Sequence, residues 1–84
     1  MAEIVIYTKE WCPYSAKAKA LLESKGLAYH EIDVTHDEAK HQEMMERSHR
    51  RSVPQLFIDG KSVGGYDDLA NLSASGELDG RLGS

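Results

Sequence analysis

The feature that most constrains this chain is an alternation of short β-branched runs with stretches of helix formers, closed by two extended runs around Asp59-Gly60. Glu3 to Thr8, rich in Ile, Val, Tyr and Thr, predicts a buried strand. A break at Lys9 to Pro13 follows, and Tyr14 to Lys25 turns to Ala, Leu, Lys and Glu, with Ala18, Leu21 and Leu22 spaced toward a core and Gly26 as C-terminal cap. Pro13 suits a first helical turn, where its missing N–H costs nothing. Tyr29 to Val34 predicts a second strand, with His30, Ile32 and Val34 alternating against Tyr29, Glu31 and Asp33. Thr35 and Glu38 have capping-box spacing and open a charged helix to about Ser48 with a thin apolar face of Ala39, Met44 and Met45. Gln55 to Ile58, Asp59-Gly60 and Lys61 to Val63 predict a hairpin with a type I′ turn, ended by Gly64 and Gly65. A last short helix is expected over Asp67 to Leu72, with acids in its first turn and Gly76 beyond it. The order β-α-β-α-β-β-α fits a small mixed α/β sheet with helices on both faces.

Length and composition narrow the chemistry. A chain of 84 residues makes one domain, expected over 1–84, that buries about 60 to 65% of its unfolded surface, so there is room for one modest core. The balance of 10 Lys plus Arg against 14 Asp plus Glu, net −4, argues against nucleic acid or anionic membrane as partners. No run approaches the ~20 apolar residues of a membrane span, and the first residues lack a signal-peptide core. One cysteine, Cys12, cannot form an internal disulfide or a multi-thiolate metal site, so its chemistry needs an outside partner. A soluble, monomeric protein of a reducing compartment, the cytoplasm, is expected. The stretch with His36, His41 and His49 looks like a hydrophilic helix face, and no metal site is expected.

Cys12 falls between the first strand and the first helix. There, unpaired backbone N–H groups and the positive end of the helix dipole favour thiolate over thiol, and Lys9 adds a cation. A free thiol ionises near ~8.5, and such surroundings bring it to about 3.5 to 7.5. Trp11 is expected either to pack or to present a protein-contact surface, with no part in the chemistry.

Tyr7 to Tyr14, including Trp11-Cys12-Pro13-Tyr14, resembles the active-site segment of glutaredoxins. Ser52-Val53-Pro54-Gln55-Leu56-Phe57-Ile58 and Gly64-Gly65-Tyr66-Asp67-Asp68-Leu69 look like that family's second and third motifs, in order and at its spacing. The chain is most similar to the short bacterial dithiol subtype. The resemblance implies a thioredoxin fold with a four-stranded mixed sheet. It also implies exchange of disulfides with glutathione as co-substrate, on glutathionylated or disulfide-containing proteins, with Cys12 as the attacking group. Glutathione carries two carboxylates, an ammonium and a peptide backbone, and the resemblance supplies a candidate for each. Lys9 would meet the glycyl carboxylate, and Val53, beside a cis Pro54, would pair its backbone with the cysteinyl unit. The amides of Tyr66 and Asp67, after Gly65, would hold the γ-glutamyl carboxylate, and Asp67 or Asp68 the ammonium. Tyr14 would shape the pocket beside the sulfur, and Arg50 and Arg51 either add positive potential there or are ordinary surface charges.

The departure from the family's Cys-Pro-Tyr-Cys is Ser15, in the position of the resolving cysteine. A hydroxyl cannot resolve a mixed disulfide, so two-cysteine reduction should be lost and the monothiol route should survive. A natural serine and an engineered replacement that traps the mixed disulfide both fit. The dithiol character of everything else favours replacement. The alternative function is a glutathione-ligated [2Fe–2S] dimer, which one cysteine per chain permits; Pro13, Tyr14 and the lack of an insertion before Cys12 disfavour it.

Overall fold

The computed structural model describes residues 3–81, so both ends of the expected domain lie outside the described part. Strand β1 (Ile4–Thr8) runs through the middle of the sheet, parallel to β2 (His30–Asp33) and antiparallel to β3 (Gln55–Ile58), which pairs antiparallel with β4 (Lys61–Gly64). Helices α1 (Pro13–Ser24), α2 (Glu38–Ser48), α3 (Tyr66–Ser75) and α4 (Glu77–Arg81) are the other elements among the described residues. This is the four-stranded mixed sheet that the sequence implied.

Strand β1 is apolar almost throughout because both its faces are covered. Ile4 and Ile6 pack with Leu22, Leu56, Leu69 and Leu78 on the side of α1, α3 and α4. On the other side Tyr7 meets Val34, Met44 and Phe57 beneath α2. A fully buried methionine contributes about 1.5–3 kcal/mol, so one such residue leaves α2 dependent on polar ties. The buried Tyr7 hydroxyl donates to Glu43 at 2.7 Å and accepts from Arg47 at 2.9 Å, and the Arg47 guanidinium lies 4.4 Å over the Phe57 ring. Burial and the bond to Glu43 push the Tyr7 phenol above its ordinary range.

Helix α1 ends at the expected glycine. Gly26 has φ 69°, and the N–H groups of Gly26 and Leu27 return to the carbonyls of Glu23 and Leu22. At the hairpin tip Asp59 and Gly60 have φ 51° and 81°, the two left-handed residues that a type I′ turn requires.

The structure corrects several local expectations. The cap of α2 is Asp37, whose carboxylate accepts from Lys40 N at 3.0 Å; the Thr35 hydroxyl instead accepts from Glu10 N at 2.8 Å, a tertiary contact that removes it from capping. Strand β2 is shorter than expected, and His30, Glu31 and Asp33 are all exposed, because it lies at the outside of the sheet. Ala39 is exposed, and of the three histidines placed on one helix face only His41 lies within α2. Helix α3 runs on to Ser75, and α4, which the sequence did not suggest, follows the turn at Gly76 and buries Leu78. Among the described residues no helix is long and apolar enough to cross a membrane.

Candidate active site

The chain leaves β1, turns through Lys9 to Trp11 and enters α1 with Cys12 as the cap residue and Pro13 in the first turn. Cys12 has extended backbone, so its half-buried sulfur stands beside the first N–H groups of the helix. Burial pushes the thiol up, but hydrogen bonds from the Ser15 hydroxyl and from the backbone of Ser15 and Tyr14, together with the Lys9 charge, outweigh that and hold it below its ordinary value. Ser15 is buried and its oxygen also accepts from Lys9 N at 3.5 Å, so residue 15 ties the loop and faces the sulfur as the sequence suggested. Across from the sulfur, 3.8 Å away, is the carbonyl oxygen of Val53, and the Val53–Pro54 bond is cis.

Beside Cys12 runs a groove of 240 Å³ that brings together three separate segments: Tyr14 from α1, Val53 and Pro54 before β3, and Gly65, Tyr66 and Asp67 at the start of α3. Arg50, Ser52 and Asp68 complete its lining. All the glutathione candidates except Lys9 therefore converge. Asp68 caps α3 from within, accepting from Gly65 N at 2.9 Å, and the same oxygen receives Arg50 Nη1 at 3.0 Å. The Gly65 N–H and, after the opposing effect of burial, the Arg50 guanidinium hold the Asp68 carboxyl below its ordinary range. Gly64 permits this approach: at φ 119° it occupies a region that residues with a side chain rarely adopt, and a Cβ there would run into the Asp68 carboxylate. Of the two arginines left open by the sequence, Arg50 reaches the groove, while Arg51 is exposed outside it.

Lys9 sits in a second cleft of 340 Å³, shared with Trp11, Cys12, Pro13, Ala16 and Lys19. Trp11 is 96% exposed at φ 61°, so it presents a surface and does not pack. Lys19 is fixed by Glu31 at 3.0 Å, whose carboxylate also accepts from Thr8 Oγ1 at 2.7 Å.

Sequence reasoning missed the side chains that hold the loop carrying Val53. Ser48 Oγ bridges Arg50 N and O, both at 3.1 Å; His41 Nε2 meets Arg51 O at 3.2 Å; and the fully buried Gln55 donates to Ser52 O at 2.9 Å. Three consecutive residues are thus pinned from α2 and β3. The only trace in the sequence was a polar Gln55 inside an apolar strand. Among the described residues no group of three or more His, Cys, Asp or Glu is arranged to hold a metal ion.

A sulfur biased toward thiolate at a helix start, opposite a cis-proline loop, on a four-stranded mixed sheet, defines a thiol–disulfide oxidoreductase. Comparison with known proteins makes the class specific. The glutaredoxin family profile matches residues 4–63. Glutaredoxin 3 of Escherichia coli K12 is 53% identical over 79 residues, covering 94% of this chain and 95% of the relative. The solution structure of glutaredoxin from Brucella melitensis superposes with a TM-score of 0.84 at 48% identity, over 95% of this chain and 87% of that one. A buckwheat glutaredoxin–glutathione complex superposes with a TM-score of 0.87 at 27% identity, over 96% and 76%. The chain belongs to the glutaredoxin family, with the thioredoxin fold and the thiol–disulfide oxidoreductase activity of that family.

Proposed function

We propose that this protein exchanges glutathione with mixed disulfides by a monothiol route, acting as a monomeric domain in the cytoplasm with no nucleic-acid or membrane partner. The observation that carries the reading is the placement of Cys12 between helix N–H donors and a groove whose polar groups complement glutathione. That a related glutaredoxin was solved in complex with glutathione supports the choice of ligand.

In this reading the Cys12 thiolate attacks the glutathionyl sulfur of a protein mixed disulfide. The Cys12–glutathione bond forms, the bond to the substrate cysteine breaks, and the substrate leaves as a thiolate that takes a proton from water. A second glutathione thiolate then attacks the glutathionyl sulfur, releasing glutathione disulfide and restoring the Cys12 thiolate. Val53 pairs its backbone with the cysteinyl unit, Tyr14 and Pro54 flank it, and the first-turn amides of Tyr66 and Asp67 after Gly65 receive the γ-glutamyl carboxylate. Asp67 or Asp68 meets the ammonium and Lys9 the glycyl carboxylate. Ser15 holds the sulfur's charge but closes no disulfide, so a replacement of the resolving cysteine at this position accounts for an otherwise dithiol sequence.

Incubation with a glutathionylated peptide should transfer the glutathionyl group to Cys12, a gain of about 305 Da removed by reductant. Turnover with glutathione that persists in Cys12→Ser would overturn the reading.

A further inference from the structure

A large apolar side chain left in water beside a nucleophile is the least economical feature of this surface. Trp11 is the only tryptophan in the chain, and it is 96% exposed. Its φ of 61° is a left-handed conformation that a bulky residue seldom adopts. The two residues before it are tied down, Glu10 N to the Thr35 hydroxyl at 2.8 Å and Lys9 N to Ser15 Oγ at 3.5 Å. The tryptophan lines the second cleft, on the flank of Cys12 away from the Tyr14–Val53 groove.

The cleft has a definite chemistry. Pro13, Ala16 and the Trp11 ring give it an apolar floor, and Lys9 and Lys19 give it two cations against one acid, Glu10. Lys19 is paired with Glu31 at 3.0 Å, and Thr8 orients Glu31 from the sheet.

We propose that Trp11 and this cleft dock the polypeptide side of the mixed disulfide, and that they favour extended segments with an acidic side chain near the modified cysteine. The inference rests on the monothiol reading of Cys12 and extends it from the glutathione half of the substrate to the protein half. Aromatic anchors flanked by charge are the usual carriers of such recognition. Trp11 and Lys19, which the glutathione contacts do not use, then serve the protein half of the substrate alone.

The test uses glutathionylated peptides of one length, with Asp, Ser or Lys on either side of the modified cysteine, and glutathione–mercaptoethanol mixed disulfide as the small reference. The expected order of kcat/KM is Asp, then Ser, then Lys. Trp11→Thr should lower kcat/KM for the Asp peptide about fivefold or more and leave the small disulfide within about twofold. Lys19→Gln should narrow the spread between Asp and Lys peptides. In Cys12→Ser, which cannot react, the emission of Trp11 should shift to shorter wavelength on titration with the Asp peptide. Equal losses on peptide and small disulfide in Trp11→Thr, or an emission that does not move, would overturn the docking surface. An unchanged small-disulfide rate in Cys12→Ser would instead overturn the monothiol reading, and the fluorescence titration would still decide the role of Trp11.

Discussion

The Cys12 sulfur and the Val53 carbonyl oxygen face each other at 3.8 Å, close enough for the protonated thiol to donate to that oxygen. Once ionised, the same sulfur takes its hydrogen bonds from Ser15 and Tyr14 instead. The two protonation states lean on different partners. A ligand whose N–H claims the Val53 oxygen removes the thiol's acceptor and leaves the thiolate's donors in place. S-methylglutathione, which binds without reacting, is therefore expected to lower the midpoint of Cys12 ionisation, followed by ultraviolet thiolate absorbance. A midpoint unmoved at saturating ligand would show that the ligand does not reach Val53.

Ser15 separates two roles that a cysteine there would combine. Ser15→Ala removes the first of the effects that oppose burial of the thiol, so the Cys12 midpoint should rise and alkylation at neutral pH should slow. Ser15→Cys should gain an internal disulfide on treatment with glutathione disulfide, read as loss of both free thiols. If no such bond forms, residue 15 does not face the sulfur.

Gln55 acts on the groove only through the loop it holds. Gln55→Leu keeps the volume but releases Ser52 O, and it also removes a buried amide oxygen without a hydrogen-bond partner, so stability should change by less than about 1.5 kcal/mol. The KM for glutathione is expected to rise severalfold with kcat less affected, a split that a purely structural loss would not produce.

Gly64→Ala asks a residue with a Cβ to occupy φ 119° and to push aside the Asp68 carboxylate. A loss of roughly 1–3 kcal/mol is expected in urea unfolding, because both the strain and the loosened cap of α3 act in the same direction. The Arg50 ion pair on the same oxygen should loosen with it.

Acid should destabilise the fold through Asp68 and Glu31. The Gly65 N–H at Asp68 and the Thr8 hydroxyl at Glu31 are the leading causes that hold these carboxyls below their ordinary values. Groups depressed in the folded state bind fewer protons there than in the unfolded chain, so their contribution is complete above about pH 5 and is lost as pH falls below about 4. Urea midpoints should be level down to the first value and fall beyond it. Asp68→Asn should flatten that fall.

Much of this was legible in the residues themselves. The β-branched run at Ile4 to Thr8, the Asp59-Gly60 turn and Gly26 each carry a local reason for the conformation they adopt, and tertiary structure agrees with it. The cap of α2 was not legible in that way. Thr35 and Asp37 are both competent caps, and the choice was made by Glu10, which is 25 residues from Thr35. Helix α4, five residues long, follows from one buried leucine and not from any periodicity. At the site, the motifs located Cys12, Val53 and Asp67, but the division of the surface into two clefts, with Lys9 on the other side of the sulfur from the groove, appears only in three dimensions.

The outermost strands of the sheet have a further consequence. A row of unpaired backbone N–H and C=O groups at a sheet's rim is a template on which another chain can add. Here one rim is the four-residue β2, with Glu31 and Asp33 exposed along it; the other is β4, which begins at exposed Lys61 and is kinked by the register shift opposite Leu56 and Phe57. The acidic β2 rims of two copies repel each other, and β4 is short and irregular, a poor start for a growing ladder. A thiol–disulfide oxidoreductase with such rims is built to touch its disulfide substrates by its sulfur and not to recruit them by its backbone.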